Sequence, residues 1–332
     1  QSDESKALRH FFFAEREVAR PKAIAGCAPK DIQSVAVVGG GLMGAGIAVS
    51  FLNAGLAVKL IERDDASAQS AEERVLGLLQ GALKRVKITQ QKFDAQSEAF
   101  STHSDYAAAA DVDLAIEAVF EDVAVKKQVF AELAAVTSSD TILATNTSYL
   151  DPDLIFERVE GLDRCVGLHF FSPAHIMKLV EVVKLPESSK ETLATAFALS
   201  KRLRKVAVLS GICDGFIGNR ILAAYRRAAE YMLADGALPE QIDAAMRNFG
   251  FAMGPFEAQD MGGLQIAEAN RRRQDATRDP SERYIEIADQ LCAEGRLGQR
   301  AGKGWFRYEE GDRRPHVDPE VTTLIEAYSV SL

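Results

Sequence analysis

Residues 35–44 read VAVVGGGLMG, and this stretch decides the fold. A short run of β-branched residues leads into a G-x-G-x-x-G pattern, and a helix-like segment follows at 45–54. A strand, a glycine-rich turn and a helix in this order form a pyrophosphate-binding unit, because the turn and the helix N-terminus present backbone N–H groups to phosphate. The stretch therefore predicts a dinucleotide-binding domain.

The three glycines have separate predicted roles. Gly39 permits the tight turn out of the strand, Gly41 lets the backbone approach the pyrophosphate, and Gly44 lets the helix pack close to the sheet. The cofactor contacts expected from this segment are Gly39, Gly41, Leu42, Met43 and Gly44.

An acidic residue follows at the expected distance. The next predicted strand, 57–61, leads directly to Glu62, which lies about 20 residues after Gly41, the interval at which a carboxylate meets the adenosine ribose. Glu62 favours NAD, because a carboxylate accepts two ribose hydroxyls and repels a 2′-phosphate. The neighbouring Arg63 leaves NADP as an alternative.

Composition narrows the class of protein. A chain of 332 residues that is 47% hydrophobic can bury two cores of ordinary size. Its net charge of −9 gives no basic field for nucleic acid, so we expect no nucleic-acid partner. The four cysteines lack C-x-x-C spacing, so we expect reduced thiols and no metal site. No apolar run is long enough for a membrane span.

Strands and helices alternate along the first two-thirds of the chain. A helix at 5–20 ends before Pro21 and precedes the alternation. Strands are predicted at 34–38, 57–62, 114–118, 141–144, 165–170, 179–183 and 206–209, with helices from 43, around 66–86, at 123–135 and at 190–205. This order predicts an α/β fold with a mostly parallel, doubly wound Rossmann-type sheet.

Beyond residue 214 the pattern becomes helical, which predicts a smaller all-helical domain. Helices are expected at 216–233, 240–249, 264–273 and 281–293. The predicted organisation is a linker helix and connection at 1–32, an NAD-binding domain at 33–212 and a helical domain at 213–332.

Four polar residues are candidates for chemistry. Glu181 lies within an apolar strand, where an unpaired carboxylate is costly, so it needs a partner. His169, near the end of another strand, is suited to be that partner: a carboxylate on one ring nitrogen leaves the other free to take a proton from an alcohol. Ser148 and Asn219 can then bind substrate oxygens. From the residue pattern alone, a core histidine, a turn serine and a capping asparagine remain alternatives.

At these residues the chain resembles the L-3-hydroxyacyl-CoA dehydrogenase family. The resemblance is carried by VAVVGGGLMGAGIA at 35–48, IEAVFEDVAVKK at 116–127, ATNTSYL at 144–150, GLHFFSPAHIMKLVEVV at 167–183 and DGFIGNRIL at 214–222. It implies that His169 is the base, that Glu181 orients it, and that Ser148 and Asn219 bind substrate. It also implies cofactor contacts at Glu62, Glu121, Lys126 and Asn146, while Glu117 ends a strand or touches the cofactor only indirectly.

The flanking segments sharpen this resemblance. FSPAHIMKLVEV and FFAEREVAR look like the dehydrogenase part of a multifunctional fatty-acid β-oxidation enzyme, the latter like a linker helix after a hydratase domain. The resemblance implies oxidation of L-3-hydroxyacyl-CoA to 3-ketoacyl-CoA with NAD. It further implies either a homodimer through the helical domain, or packing against a second helical module and a hydratase domain. The expected location is the bacterial cytoplasm, or the peroxisome if the source is eukaryotic.

Substrate phosphates require positive charge. Lys84, Arg85 and Lys87, near the end of the predicted helix 66–86, are candidates for coenzyme A phosphates. Two other functions stay open: a dehydrogenase of a small free hydroxy or sugar acid on the same fold, and a non-catalytic assembly scaffold.

Overall fold

The computed structural model describes residues 2–330. The chain forms two compact units, divided between Asn219 and Arg220. This division lies slightly beyond the end of the predicted 33–212 domain, and the segment before residue 33 belongs to the first unit.

The first unit is built on one eight-stranded sheet. Its strands are β1 Ser34–Val38, β2 Ala57–Ile61, β3 Phe100–His103, β4 Leu114–Glu117, β5 Ile142–Thr145, β6 Cys165–Phe170, β7 Leu179–Val183 and β8 Val206–Ser210. Their order across the sheet is β3-β2-β1-β4-β5-β6-β7-β8. Neighbouring strands are parallel except β6 and β7, which are antiparallel. The predicted Rossmann-type, mostly parallel sheet is confirmed.

Helices surround this sheet. They are α1 Asp3–Val18, α2 Leu42–Asn53, α3 Asp65–Lys84, α4 Gln90–Glu98, α5 Val123–Val136, α6 Pro152–Ile155 and α7 Lys190–Arg202. Acceptor side chains begin several of them: Asp64, Asp122 and Ser189 each accept a backbone N–H from the first turn. The helix predicted at 5–20 is present as α1, and it has no buried residue.

The core lies on both faces of the sheet, and β1 shows how. Val35 and Val37 belong to one buried apolar cluster, whereas Ala36 and Val38 belong to the other. Successive side chains of a strand point to opposite faces, so a strand covered on both sides is continuously apolar. That is why the run before the glycine turn shows no polar alternation.

Several features of the first unit were not predicted, among them α4, β3, α6 and the direction of β7. The short edge strand β3, with the sequence FSTH, and the preceding α4 carry little apolar signal. The antiparallel β6–β7 pair also escaped prediction, although the eight-residue connection at 171–178 is too short for a parallel crossover.

The second unit is helical, as predicted. After α8 Gly218–Ala234, which begins just before the division, it contains α9 Pro239–Phe249, α10 Pro255–Gly262, α11 Leu264–Gln274, α12 Ile287–Ala293 and α13 Pro319–Val330. α10 and α13 were not predicted. The helix predicted at 281–293 was wrong over 281–286: Asp279 accepts the backbone N–H and hydroxyl of Ser281, and such side-chain bonds compete with a helix.

None of the helices in the described part of the chain has the length and apolar character that a membrane crossing requires.

Candidate active site

His169 and Glu181 form a buried pair on adjacent strands. They stand opposite each other in the β6–β7 register, and His169 Nδ1 lies 2.7 Å from Glu181 Oε2. Their side chains are 3% and 1% exposed, so the pair is shielded from water. The sequence prediction that Glu181 needs a partner, and that His169 supplies it, agrees with this contact.

The second oxygen of Glu181 is also occupied. Glu181 Oε1 accepts the backbone N–H groups of Ile217 at 2.9 Å and Gly218 at 2.7 Å. Burial by itself raises the pKa of Glu181, but the hydrogen bonds from His169 and from these two N–H groups outweigh it and hold the pKa below its ordinary value. The carboxylate is therefore ionised and accepts a proton-bearing Nδ1, which leaves the lone pair on Nε2 of His169.

Aromatic rings enclose the imidazole. The ring centroids of Phe171 and Phe216 lie 4.5 and 5.6 Å from that of His169. Phe216 has φ of +46°, a conformation that bulky residues rarely adopt and that tends to mark functional sites. A Cβ on Gly218 would lie 2.8 Å from the Phe171 ring, so only glycine fits between that ring and Glu181. The sequence analysis missed these roles of Phe171, Phe216 and Gly218, although DGFIGN, with its two glycines, signalled a special backbone.

Glu121 organises the segment that carries Ser148. Glu121 Oε1 accepts the Thr147 hydroxyl at 2.7 Å and the backbone N–H groups of Ser148 at 2.8 Å and Tyr149 at 3.1 Å. Burial raises the pKa of Glu121, but the charge of Lys126 and these hydrogen bonds together lower it below the ordinary value. The sequence predicts that Glu121 contacts the cofactor. In the structure its Oε1 instead accepts the three hydrogen bonds that hold this turn.

Lys126 is buried between carboxylates. Its ammonium, 1% exposed, pairs with Glu117 at 2.5 Å and with Glu121 at 3.2 Å. Glu117, the last residue of β4, also accepts the Thr145 hydroxyl at 2.7 Å. The expectation that Glu117 ends a strand is confirmed. The network ties the ends of β4 and β5 together beneath the Ser148 turn.

Asn146 links the end of β5 to the strand that carries the histidine. Its Oδ1 accepts the backbone N–H of Phe170 at 2.8 Å, and the side chain is buried. Its amide oxygen is therefore used within the protein, next to His169. Ser148 and Asn219 are both half-buried, the latter in the first turn of α8.

The glycine turn is shaped as its sequence predicts. Gly39 has φ of +95°, and a Cβ on Gly44 would lie 1.7 Å from the Gly39 carbonyl oxygen. A Cβ on Gly41 would meet nothing within 4 Å, and no side chain caps α2 at this residue. Glu62 Oε1 accepts the Gly40 N–H at 2.7 Å. An open approach, an uncapped helix N-terminus and an adjacent carboxylate fit the pyrophosphate and ribose of a dinucleotide.

The basic residues near the end of α3 differ in part from prediction. Lys84 is the last residue of α3, Arg85 caps it, and Val86 has φ of +55°, so α3 ends before the predicted boundary at residue 86 and Lys87 follows the turn. The backbone turns here because the N–H groups of Val86 and Lys87 bond to carbonyls of the last turn, Leu83 and Ala82 respectively. All three basic side chains are exposed.

Fold and site together define an NAD-binding α/β dehydrogenase. The family description "3-hydroxyacyl-CoA dehydrogenase, NAD binding domain" matches residues 34–213, and "3-hydroxyacyl-CoA dehydrogenase, C-terminal domain" matches residues 215–308. The chain belongs to the 3-hydroxyacyl-CoA dehydrogenase family.

Individual relatives agree with this assignment. The chain is 40% identical to a peroxisomal bifunctional enzyme from Danio rerio, over 98% of this chain and 47% of that protein. Among solved structures, (S)-3-hydroxybutyryl-CoA dehydrogenase from Ralstonia eutropha has a TM-score of 0.78 at 30% identity, covering 84% of this chain and all of that one. The dehydrogenase part of multifunctional enzyme 1 from C. elegans has a TM-score of 0.65 at 28% identity, covering 91% of this chain and 68% of that one. The chain spans about half the length of the curated relatives it matches.

Proposed function

We propose that this protein oxidises L-3-hydroxyacyl-CoA to 3-ketoacyl-CoA with NAD, as a step of fatty-acid β-oxidation. The observation that carries the proposal is the buried His169–Glu181 contact of 2.7 Å, because it supplies an oriented general base in a dinucleotide-binding fold. A scaffold has no use for a carboxylate that is buried against an imidazole. This argues against the non-catalytic alternative.

The residues divide the work as follows. His169 Nε2 takes the proton of the substrate 3-hydroxyl, and ionised Glu181 fixes the tautomer and stabilises the imidazolium that forms. Ser148 and Asn219 donate hydrogen bonds to substrate oxygens and orient the reacting carbon. Glu121, Lys126 and Asn146 were expected from the sequence to contact the cofactor. We assign them instead as positioning residues, since their contacts hold the Ser148 turn and the β6 strand.

The glycine turn would hold the cofactor. Gly39, Gly41 and Gly44 would allow close approach of the pyrophosphate, and the backbone N–H groups of Leu42 and Met43, at the start of α2, would bind it. Glu62 would accept the adenosine ribose hydroxyls. When bound, NAD supplies the acceptor for the hydride that leaves the substrate carbon.

The rest of the proposal concerns assembly and location. The second unit has exposed apolar side chains, such as Phe249 at 80%, Ile221 at 65% and Ile266 at 62%, that contact with a second copy or with a further helical module would bury. The relatives named as peroxisomal support a peroxisomal location if the source is eukaryotic, and the bacterial cytoplasm is the proposal otherwise.

One assay tests the function. NADH consumption is followed with acetoacetyl-CoA and, separately, with free acetoacetate and small free sugar acids. Turnover of the CoA thioester that is lost in His169→Gln, with NADH binding retained, supports the proposal. Turnover of a free acid alone supports the small-acid dehydrogenase, and no turnover of any substrate favours the scaffold.

A further inference from the structure

The segment 171–178 connects β6, which carries His169, to β7, which carries Glu181. Its first residue, Phe171, packs against the imidazole of His169, with the two ring centroids 4.5 Å apart. A displacement of this segment would therefore move the ring against which the base rests. The groups that hold the segment in place also determine where the imidazole lies.

Lys205, the residue before β8, holds the middle of this segment. Its ammonium donates to the carbonyl oxygens of Ala174 at 2.6 Å and of Met177 at 2.7 Å. The ammonium also lies 5.5 Å from the centroid of the Phe170 ring, within the range of a cation–π contact. Burial lowers the pKa of Lys205 to about 8, so the ammonium has lost part of its hydration and depends on these contacts. One side chain thus fixes the segment at two carbonyls and contacts the end of β6.

Ala174 also joins the segment to α2, the helix that begins at the glycine turn. The Ser50 hydroxyl lies 3.1 Å from the Ala174 carbonyl oxygen and 2.9 Å from that of Gly46, so it can donate to either. Ala174 is fully buried, and a Cβ on Gly46 would lie 3.2 Å from its backbone nitrogen. The Ala174 carbonyl is therefore a junction between α2 and the segment that packs on the base.

We propose that Lys205 is a positioning residue for the dehydrogenation. By holding this segment, it keeps Phe171 against His169 and so keeps Nε2 in place for the substrate hydroxyl. The inference rests on the proposed function for the identity of the reaction. In this role Lys205 contacts the protein backbone and takes no part in proton or hydride transfer. Such a role matters to the rate, because a misplacement of about 1 Å at the reacting groups can cost about 100-fold.

The test compares two substitutions of the same residue. Lys205→Met keeps the length of the side chain and removes its donors, whereas Lys205→Arg keeps positively charged donors. The matched control is Lys201→Met, in the last turn of α7, where the lysine side chain is exposed. We would measure kcat for acetoacetyl-CoA reduction per NADH-binding site, with the sites counted by NADH fluorescence. A partly unfolded sample then cannot be mistaken for a slow enzyme.

The expected result separates rate from cofactor affinity. In Lys205→Met, kcat per site should fall about 10- to 100-fold, while the dissociation constant for NADH stays unchanged. Lys205→Arg should recover most of the lost rate, because its guanidinium can donate to both carbonyls. Lys201→Met should keep the wild-type kcat.

A second measurement needs no turnover. The Nδ1 proton of His169, shared with Glu181, should give a proton NMR signal far downfield, assigned by its absence in His169→Gln. In Lys205→Met the ring is held less firmly and this proton exchanges faster with water, so the signal should broaden. It should stay sharp in Lys201→Met and become sharp again in Lys205→Arg.

Other outcomes overturn the inference. An unchanged kcat per site or an unchanged Nδ1 signal in Lys205→Met shows that Lys205 does not position the base. An equal loss of NADH affinity and of kcat assigns the effect to α2 instead. If Lys205→Arg is no better than Lys205→Met, the two carbonyl contacts are not the cause. If the wild type does not reduce acetoacetyl-CoA, the proposed function fails, while the NMR signal still tests Lys205.

Discussion

Replacing Glu181 by glutamine tests the central contact of the site. Three donors converge on this side chain: His169 Nδ1–H on one oxygen, and the N–H groups of Ile217 and Gly218 on the other. A carboxylate offers two acceptor oxygens, whereas an amide offers one oxygen and one NH₂ group. Glutamine therefore cannot satisfy both sides of the contact.

The structure predicts that the contact with His169 is the one that changes. If the amide oxygen keeps the two backbone donors, its NH₂ group faces Nδ1 of His169, which must then become an acceptor. The ring proton moves to Nε2, the atom that has to accept the substrate proton, and the base is in the wrong tautomer. A base in the wrong tautomer lowers kcat by about 10³-fold or more, about 4 kcal/mol in the activation barrier.

The measurement is kcat for acetoacetyl-CoA reduction by NADH in wild type, Glu181→Gln and Glu181→Ala. NADH affinity, measured by fluorescence, should be unchanged in Glu181→Gln, because Glu181 lies away from the glycine turn in sequence and in the sheet. Its unfolding free energy should fall by no more than about 1–3 kcal/mol, the cost of one lost acceptor. A folded Glu181→Gln enzyme with kcat within about threefold of wild type would show that the tautomer argument is wrong.

Three further predictions concern the turn, a positioning residue and the second unit. Gly44→Ala places a Cβ against a backbone carbonyl of the glycine turn, so it should lower the unfolding free energy by about 1–3 kcal/mol and abolish NADH binding. The control is Gly41→Ala, whose added Cβ contacts no protein atom. It should weaken NADH binding and leave the melting temperature unchanged. Asn146→Ala leaves the buried N–H of Phe170 unpaired, so we expect kcat to fall more than NADH affinity, and the reverse order would contradict a positioning role. Burial raises the pKa of Asp260 from its ordinary value of 3.8 to about 6. The folded state therefore binds the extra proton, and denaturant titrations should show about 3 kcal/mol of stability lost as the pH rises from about 4 to above 6, a slope that Asp260→Asn removes.

The sequence predicted most of the framework because the framework depends on local patterns. The run at 35–38 is apolar at every position, so the sequence by itself predicts a strand that is buried on both faces. Gly39 and Gly44 carry conformational and steric requirements that no other residue meets, and the spacing of the glycines at 39, 41 and 44 predicted the turn and the start of α2. The edge strand β3 was missed because its sequence, FSTH, has no strong periodic signal.

The boundaries of the second unit were less predictable, because they depend on competing hydrogen bonds. The residues at 281–286 have helix-compatible composition, yet Asp279 captures the start of that segment in a turn. Similarly, Val86 in the left-handed conformation ends α3 before Lys87, and no local signal announces that a β-branched residue will adopt it.

Sequence alone determined that Glu181, in an apolar strand, had to find a partner, since burying an unpaired carboxylate is too costly. It also identified His169 as the group able to serve. Only the tertiary structure decided that β7 runs antiparallel to β6, which sets these residues opposite each other at 2.7 Å, and that Ile217 and Gly218 fill the other oxygen. The physical reason is range: a residue's need for a partner is a local property, whereas strand direction and register are set by the packing of the whole sheet.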